Sequence, residues 1–374
     1  MSPDLNWDVV IVGAGPAGIG IGAALADAGI THFTLLERHE VGASLRRWTH
    51  ETRFITPSFT ANAFGLVDLN AVTADTSPAF SLMREHPSGA GYADYLERVV
   101  ENRALPIQTG VDVHHITPLA DDVGFRITTA TGDLTTRYLI WAAGEFQYPR
   151  LTAFPGAALC QPTSRLAGYA SLTGDDFVVI GGYESGMDAA IALTRRGKRV
   201  RVVDPYAPWD SDDPDPSQSL SPYTLERVDD ALESGLLELL ADEVACVEMS
   251  AGQYCVGTAT GERLLTSVPP LLAIGFHGSL RLIESHFAWH ERGYTLLTPD
   301  DESTRRQGLF VVGPNVRHGN VIFCFIYKFR QRFGVVARTI AQRMGLDTTD
   351  FEATYRANGF LLDDLTCCDM ECAC

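Results

Sequence analysis

One segment near the amino terminus constrains the fold more than any other, because an apolar strand runs directly into a glycine-rich turn and a helix. Residues 7–12 (WDVVIV) are continuously apolar and rich in β-branched side chains, which is typical of a central strand in a parallel sheet. The turn that follows has the spacing Gly-x-Gly-x-x-Gly at Gly13, Gly15 and Gly18. Small residues continue to about Ala28, and we predict a helix there.

The glycines and a later acid meet the physical needs of a bound dinucleotide. Gly13 permits a tight turn, Gly15 lets the backbone approach a pyrophosphate, and Gly18 allows close packing of the helix, whose amino end stabilises the anion. A second predicted strand, residues 33–36, ends at Glu37, where a carboxylate can accept hydrogen bonds from a ribose diol. Strand, turn, helix, strand and acid in this order predict dinucleotide binding.

The same pattern begins again in the middle of the chain, but its turn is altered. Strands are predicted at 176–180 and 199–203, and the turn between the first strand and its helix keeps Gly181 and Gly186. Tyr183 occupies the middle glycine position, where a pyrophosphate needs close approach to the backbone.

The residues after this second unit bear on its nucleotide. Asp204, at the end of the second strand, would repel a 2′-phosphate, and the aspartate-rich loop at 205–217 offers no arginine to bind one. NADPH is therefore disfavoured and NADH remains possible. A vestigial site that binds no nicotinamide cofactor also remains open.

The composition indicates an ordinary folded protein rather than a nucleic-acid-binding or membrane-bound one. At about 150 residues per domain, 374 residues predict two domains and an appendage. A net charge of −18 repels phosphate backbones and anionic lipids. We see no signal peptide and no apolar run of about 18 residues, so we expect a cytoplasmic protein with no membrane and no nucleic-acid partner.

Cysteine is concentrated at one end of the chain. Of the eight cysteines, Cys367, Cys368, Cys372 and Cys374 fall within the last eight residues. A reducing compartment makes a structural disulfide framework unexpected, which leaves redox chemistry on a terminal arm. Four soft ligands could instead hold Zn(II) or Cu(I), and docking to a partner is a third use.

Further elements complete the pattern. A hairpin at 125–129 and 134–141 runs into Ala142-Ala143-Gly144, and a short strand is predicted within 308–313 (GLFVVG). A long amphipathic helix is predicted from about Asn320 to Met344, and a final helix at 350–358.

Two tandem dinucleotide units with these later motifs resemble the two-dinucleotide-binding-domain flavoproteins, which include thioredoxin reductases, flavin monooxygenases and bacillithiol disulfide reductases. The resemblance covers roughly residues 7–343 and is closest to the last class, helped by residues 48–52 (WTHET). It implies an α/β fold of two Rossmann-like domains, the second inserted in the first, and a homodimer. The implied domains are 1–160 and 281–345 for FAD, 170–280 for NAD(P), and 346–374 for a terminal helix and the cysteine-rich tail.

The resemblance also implies the cofactors and their contacts. FAD would bind the first unit and a nicotinamide cofactor the second. The residues that it assigns to FAD are Gly13, Gly15, Pro16, Ala17, Gly18, Glu37, Arg38, Trp48, Val113, Ala143, Gly144, Gly313, Arg330 and Gln331, and those for the nicotinamide cofactor are Gly181 and Gly186.

This chain departs from each class that it resembles. Only Cys160 stands where thioredoxin reductases carry Cys-x-x-Cys, and no histidine follows Phe154-Pro155-Gly156 as it does in flavin monooxygenases. Ala17 replaces the cysteine that bacillithiol disulfide reductases carry in the first glycine motif. At the ribityl site the usual Gly-Asp pair is Gly313-Pro314, which removes one carboxylate contact.

Together these features predict an FAD-dependent oxidoreductase acting on a small thiol or disulfide substrate or on thiol-bound metal. The four terminal cysteines would form the second redox station, and His318 would donate a proton to a leaving thiolate. A flavin-dependent monooxygenase and a non-catalytic flavin or metal redox sensor are the alternatives. We interpret Lys328, Arg330 and Arg332 as a solvated helix face or a cationic patch.

Overall fold

The computed structural model describes residues 5–60, 66–120, 123–213, 215 and 217–365, so the four terminal cysteines lie outside the described residues. The strands are β1 (Trp7–Val12), β2 (Phe33–Glu37), β3 (Ile107–Thr109), β4 (Val113–Pro118), β5 (Phe125–Thr129), β6 (Gly132–Trp141), β7 (Gln161–Pro162), β8 (Asp176–Ile180), β9 (Arg199–Val203), β10 (Leu237–Leu240), β11 (Val244–Ser250), β12 (Gln253–Thr258), β13 (Arg263–Thr266), β14 (Leu271–Leu272), β15 (Ala288–Trp289), β16 (Thr295–Leu296), β17 (Leu309–Val311), β18 (Arg317–His318) and β19 (Val321–Ile322). The α-helices are α1 (Pro16–Asp27), α2 (Ala43–Arg46), α3 (Pro78–Leu82), α4 (Gly89–Arg103), α5 (Glu184–Thr194), α6 (Pro222–Glu233), α7 (Ile326–Phe329), α8 (Phe333–Arg343) and α9 (Thr349–Ala357).

The described chain divides into two compact units. Within the described residues, the first draws on 5–46, 57–147 and 278–365, and the second on 47–56 and 148–277. Each unit contains a parallel sheet with a glycine turn between a strand and a helix. The α/β architecture with two Rossmann-like units is therefore as predicted.

The first unit is built on a sheet of order β3-β2-β1-β6-β5-β4, with β17 also paired to β6. Strands β2, β1, β6 and β17 are parallel, and β4 to β6 form the antiparallel ribbon that contains the predicted hairpin. Val12 and Val311 both pair with Trp141, so β1, β6 and β17 end at the same edge of the sheet. The segments that follow these strands lie together at that carboxyl edge, which is where ligands bind in open α/β sheets.

Close packing between α1 and α8 covers one face of this sheet. The Phe333 ring is fully buried, and a Cβ added to Gly20 would lie 2.1 Å from its edge. The small residues of α1 therefore leave room for an aromatic ring from the carboxyl-terminal part of the unit, which explains their frequency in this helix.

The second unit repeats the plan on a smaller scale. Its parallel sheet has the order β10-β9-β8-β14-β7, and an antiparallel sheet of β11, β12 and β13 is added to it. Strands β8 and β9 match the predicted bounds. Helix α5 begins at Glu184 rather than near Met187, because Tyr183 acts as its N-cap residue in an extended conformation.

The predicted long helix from Asn320 to Met344 is wrong. Residues Val321–Ile322 form the hairpin strand β19, α7 begins only at Ile326, and a 3-10 turn at Arg330–Arg332 separates it from α8. The apolar side chains near residues 321–326 pack as a hairpin and loop, a pattern that helical periodicity alone does not distinguish from a helix.

The solvated helix face assigned to the arginines of this turn is wrong for the same reason. The exposed fraction is 6% for Arg330 and 0% for Arg332, so both side chains point into the unit. Lys328 lies near the Phe325 ring, with 5.6 Å between its Nζ and the ring centroid.

Candidate functional site

The first glycine turn is held by contacts that only glycine allows. Gly13 has a positive φ of 109°, and a Cβ there would lie 2.5 Å from the carbonyl oxygen of Ala142. A Cβ on Gly18 would lie 1.9 Å from the carbonyl oxygen of Gly13. These two positions pack the turn against the end of β6 and against α1, as the motif predicts.

Gly15 differs from the other two glycines, because its surroundings are open. Its φ and ψ of −85° and −171° suit any residue. A Cβ on Gly15 would meet no described heavy atom within 4 Å beyond its chain neighbours. Pro16 occupies the first turn of α1, which contains no acidic residue, so the amino end of the helix faces open space with its positive dipole uncompensated. This cradle fits an anionic pyrophosphate.

Glu37 lies beside the turn with its carboxylate already oriented. Oε2 accepts a hydrogen bond from the Ala14 amide at 2.9 Å, and Oε1 accepts one from the His39 amide at 2.9 Å. Each carboxylate oxygen can accept a further bond, so the ribose diol of a dinucleotide remains within the capacity of this group. Arg38 points toward Asp112, with 4.0 Å between their charged atoms, and the Glu37 carbonyl accepts from the Val111 amide.

Two further segments predicted for FAD follow strands that end at the same sheet edge. Ala143 and Gly144 follow β6, and the Gly144 carbonyl accepts a hydrogen bond from the Ser279 amide at 2.9 Å. Gly313 follows β17 with a φ of 101°, and a Cβ there would lie 3.0 Å from the Cβ of Ala17. Val113 begins β4 at the far end of the sheet order.

Arg330 provides a buried cation with an unused donor. Its Nη1 donates to the carbonyl oxygens of Asp68 and Ala71, and its guanidinium lies over the Phe360 ring at 4.8 Å. Burial lowers the pKa of Arg330 to about 10, and its buried Nε has no hydrogen-bond partner among the described residues. An orphaned buried donor is the feature expected where a ligand supplies the acceptor. The first unit therefore fits FAD.

His318 belongs to a buried network that the sequence did not reveal. Its Nε2 lies 2.5 Å from Oδ1 of Asp301, and the same carboxylate accepts from Arg332 Nε at 2.9 Å and Nη2 at 3.0 Å. Asp301 and Arg332 are both fully buried. Because Asp301 engages Nε2, the Nδ1 atom is the nitrogen left for other partners. Asp301 gave no sequence signal, since it stands in the acidic run 300–302.

The same network holds the chain shortly before the terminal cysteines. Arg332 Nη1 donates to the Leu362 carbonyl, and the Leu362 amide donates to the Gln331 carbonyl at 2.9 Å. Asp363 forms ion pairs with Arg338 at 2.6 Å and Arg356 at 2.8 Å, which lower the pKa of its carboxyl. The described chain ends two residues later, at Leu365.

Three of the cysteines that the structure describes, Cys160, Cys246 and Cys255, are in no disulfide. Burial raises the pKa of the Cys160 thiol to about 12, which makes it a poor nucleophile at neutral pH. Within the described part of the chain, no three His, Cys, Asp or Glu side chains are grouped so that they could hold a metal ion.

The remaining predicted residues lie in the second unit. Trp48 is there, with its ring 5.0 Å from the Phe54 ring. Gly181 and Gly186 repeat the packing of the first turn, with added Cβ atoms at 2.4 Å from the Ala273 oxygen and 1.8 Å from the Gly181 oxygen. Tyr183 stands between them as predicted.

Comparison with known proteins shows which family this combination of residues belongs to. A family model described as pyridine nucleotide-disulphide oxidoreductase matches residues 10–313. Bacilliredoxin reductase Bdr of Bacillus subtilis (strain 168) is 24% identical over 341 residues, which cover 89% of this chain and 97% of that protein. In the part of the chain that is described, no helix is both long and apolar enough to cross a membrane.

Solved structures show the same fold in proteins of different activity. The bacillithiol disulfide reductase Bdr (YpdA) from Staphylococcus aureus has a TM-score of 0.73 at 19% identity, covering 91% of this chain and 99% of that one. A flavin-containing monooxygenase from Stenotrophomonas maltophilia has a TM-score of 0.68 at 14% identity, covering 90% and 99%. The family implies FAD together with a nicotinamide nucleotide. With its glycine turn and acid at one sheet edge and a buried arginine in the same unit, the chain belongs to the pyridine nucleotide-disulphide oxidoreductase family and is an FAD-dependent oxidoreductase.

Proposed function

We propose that this oxidoreductase exchanges electrons with a small thiol or disulfide substrate through Cys367, Cys368, Cys372 and Cys374. The observation that carries this proposal is the position of the last described residues before the four cysteines. Leu362 is hydrogen-bonded to Gln331 and Arg332. These two residues share a 3-10 turn with Arg330, whose buried Nε has no hydrogen-bond partner among the described residues. Nine residues follow Leu365, and nine extended residues span at most about 30 Å.

Three of the described cysteines are poorly placed for this role. Cys160, Cys246 and Cys255 are in no disulfide, burial raises the pKa of the Cys160 thiol to about 12, and Cys255 is only 3% exposed. Electron exchange with a disulfide takes two electrons and two protons and produces two thiols, so a thiol relay needs a pair. When bound, FAD supplies or accepts these electrons at its isoalloxazine ring. Two of the relatives, which are named for bacilliredoxin and bacillithiol disulfide reduction, suggest the substrate class.

We assign His318 the transfer of a proton to the leaving thiolate. Asp301 holds the ring through Nε2, so Nδ1 would carry the exchangeable proton, and Arg332 keeps Asp301 in place by two hydrogen bonds. At the second unit we propose a preference for NADH over NADPH. Asp204 directly follows β9, and the described residues between 205 and 213 include no arginine for a 2′-phosphate.

The test compares the full-length, FAD-loaded protein with a version that ends at Leu365. The flavin of each is reduced with one equivalent of dithionite without oxygen, and reoxidation by a panel of low-molecular-weight disulfides is followed by absorbance. We expect the truncation, and the Cys367→Ser/Cys368→Ser or Cys372→Ser/Cys374→Ser variants that break the reactive pair, to slow reoxidation more than about tenfold. Cys160→Ser is the matched control and should react at the wild-type rate.

Three results would contradict the proposal and point elsewhere. Equal rates of flavin reoxidation with and without the tail would show that the terminal cysteines do not relay electrons. Tight binding of Zn(II) to the full-length protein alone, without reoxidation by disulfides, would make the tail a metal site. Oxygen uptake coupled to formation of an oxygenated product would favour a monooxygenase.

A further inference from the structure

The two glycine turns of this chain form a matched pair in which one copy is open and the other is covered. Gly15 and Tyr183 are the N-cap residues of α1 and α5, with φ and ψ of −85° and −171° against −78° and −172°. The acids match as well, because Glu37 accepts from the amides of Ala14 and His39, and Asp204 from those of Gly182 and Tyr206. The backbone of the second turn is therefore competent to approach a pyrophosphate.

The side chain of Tyr183 occupies the space that Gly15 leaves open. With the same backbone conformation, its Cβ leaves the turn in the direction that is empty around Gly15. The ring is half-buried, and its pKa is raised by this burial, then by the negative charge of Asp204 and by nearby Tyr206. The Tyr183 side chain therefore leaves the turn into the space that, in the first unit, is open for a pyrophosphate.

A second aromatic side chain, that of Trp209, covers Gly182, the residue just before Tyr183 in the turn. A Cβ added to Gly182 would lie 2.5 Å from the indole of Trp209 and 2.9 Å from the Cβ of Asp204. In the first unit the equivalent residue is Ala14, which is fully buried with its Cβ in place. Trp209 also packs against the hydrophobic core of the second unit, so its position is fixed by more than this contact.

The charge at the amino end of the helix also differs between the two units, and this difference also disfavours an anion at the second turn. Helix α1 has no acid in its first turn, whereas α5 begins with Glu184. The Glu184 carboxylate accepts from the Ser221 amide at 2.8 Å and from Thr224 Oγ1 at 2.5 Å, so it is held in place. A fixed carboxylate in the first turn already satisfies the helix dipole and repels a phosphate.

We infer that Tyr183, supported by Trp209, closes the second turn against dinucleotides and sets the affinity of this enzyme for a nicotinamide nucleotide. The residues as placed do not fit the nucleotide, because the Tyr183 side chain has to leave the space above the turn before the pyrophosphate can bind. This inference concerns nucleotide binding alone and does not depend on the thiol chemistry of the tail.

The test measures binding without turnover. The FAD-loaded, full-length protein is titrated calorimetrically with NAD⁺ and separately with ADP-ribose, which contains the pyrophosphate and both riboses but cannot exchange a hydride. We expect Tyr183→Gly to bind both at least ten times more tightly than wild type. Tyr183→Phe keeps the ring and should bind like wild type. Tyr206→Ala removes a neighbouring aromatic side chain that is 78% exposed, and it should also bind like wild type.

Flavin absorbance and melting temperature show whether each variant is folded, and Tyr183→Ser is measured in parallel so that a defect in one variant does not remove the test. The inference is overturned if wild type binds NAD⁺ as tightly as Tyr183→Gly. It is also overturned if the folded Gly and Ser variants bind no better than wild type, or if Tyr183→Phe binds as well as they do.

Discussion

Two glycines of the first turn have different roles, so adding one methyl group to either of them should affect FAD binding in one case and fold stability in the other. Gly15 and Gly18 lie three residues apart, but their surroundings are opposite. An added Cβ meets nothing described within 4 Å at Gly15, and it meets the Gly13 carbonyl oxygen at 1.9 Å at Gly18. Gly15→Ala should therefore impair FAD binding without harming the fold, and Gly18→Ala should harm the fold itself.

The magnitudes follow from these contacts. At Gly18 the overlap exceeds 1 Å against backbone that cannot rotate away, so we expect a loss of about 1–3 kcal/mol or more in the free energy of unfolding, typical of overpacking. At Gly15 the φ of −85° suits alanine, and the flavin-free protein should change by less than about 1 kcal/mol. The methyl group would occupy the space of the pyrophosphate, which should weaken FAD binding at least tenfold, or about 1.4 kcal/mol.

The assay is urea denaturation of the flavin-free proteins together with FAD titration followed by flavin fluorescence. The reasoning would be refuted if Gly15→Ala destabilised the flavin-free protein as much as Gly18→Ala does. It would also be refuted if Gly15→Ala bound FAD with wild-type affinity, because the open space at Gly15 would then not be the pyrophosphate site.

Three further predictions concern charged groups. Burial raises the pKa of Asp188 to about 6, so this group favours the folded state less as pH rises from about 4 to 6. Asp188→Asn should therefore gain about 2 kcal/mol relative to wild type between pH 4 and pH 7, measured by urea denaturation. Arg332→Met leaves the fully buried Asp301 carboxylate without its cation and should cost about 3–5 kcal/mol at pH 7, and a loss below about 1 kcal/mol would contradict this account. Asp363→Asn weakens only partly exposed ion pairs, so the melting temperature should hardly change; trypsin should nevertheless cut faster after Arg356 if these pairs hold the end of the chain.

Local sequence patterns were sufficient for the elements that determine the fold class. Strands β8 and β9 have the predicted bounds, because short β-branched runs between glycines have few other ways to bury their side chains. The first glycine turn was also predictable, since its spacing is a steric requirement of the turn itself. Periodicity failed between Asn320 and Ile326, where a hairpin buries the same apolar side chains that a helix would.

The candidate site was predictable only where its residues are consecutive. Asp301 and Arg332 are 31 residues apart, and nothing in the chain marks either one until the fold brings them together beside His318. Arg330 and Arg332 looked like part of a solvated helix face, but the 3-10 turn directs both guanidinium groups inward. Whether such a cation is exposed or buried depends on what packs around it, and sequence spacing does not record that.

The two glycine turns show most clearly which properties follow from the sequence alone and which depend on the tertiary structure. The sequence by itself determined that there are two strand–turn–helix units, and that the second has a tyrosine where the first has a glycine, because these are properties of consecutive residues. Only the tertiary structure decided what the tyrosine does. The extended backbone of the turn directs its side chain into the space that is open at Gly15, and Trp209 covers the neighbouring glycine from a segment more than 20 residues away. A turn binds a dinucleotide only if the space above it is empty, and the occupancy of that space is decided by packing between distant parts of the chain.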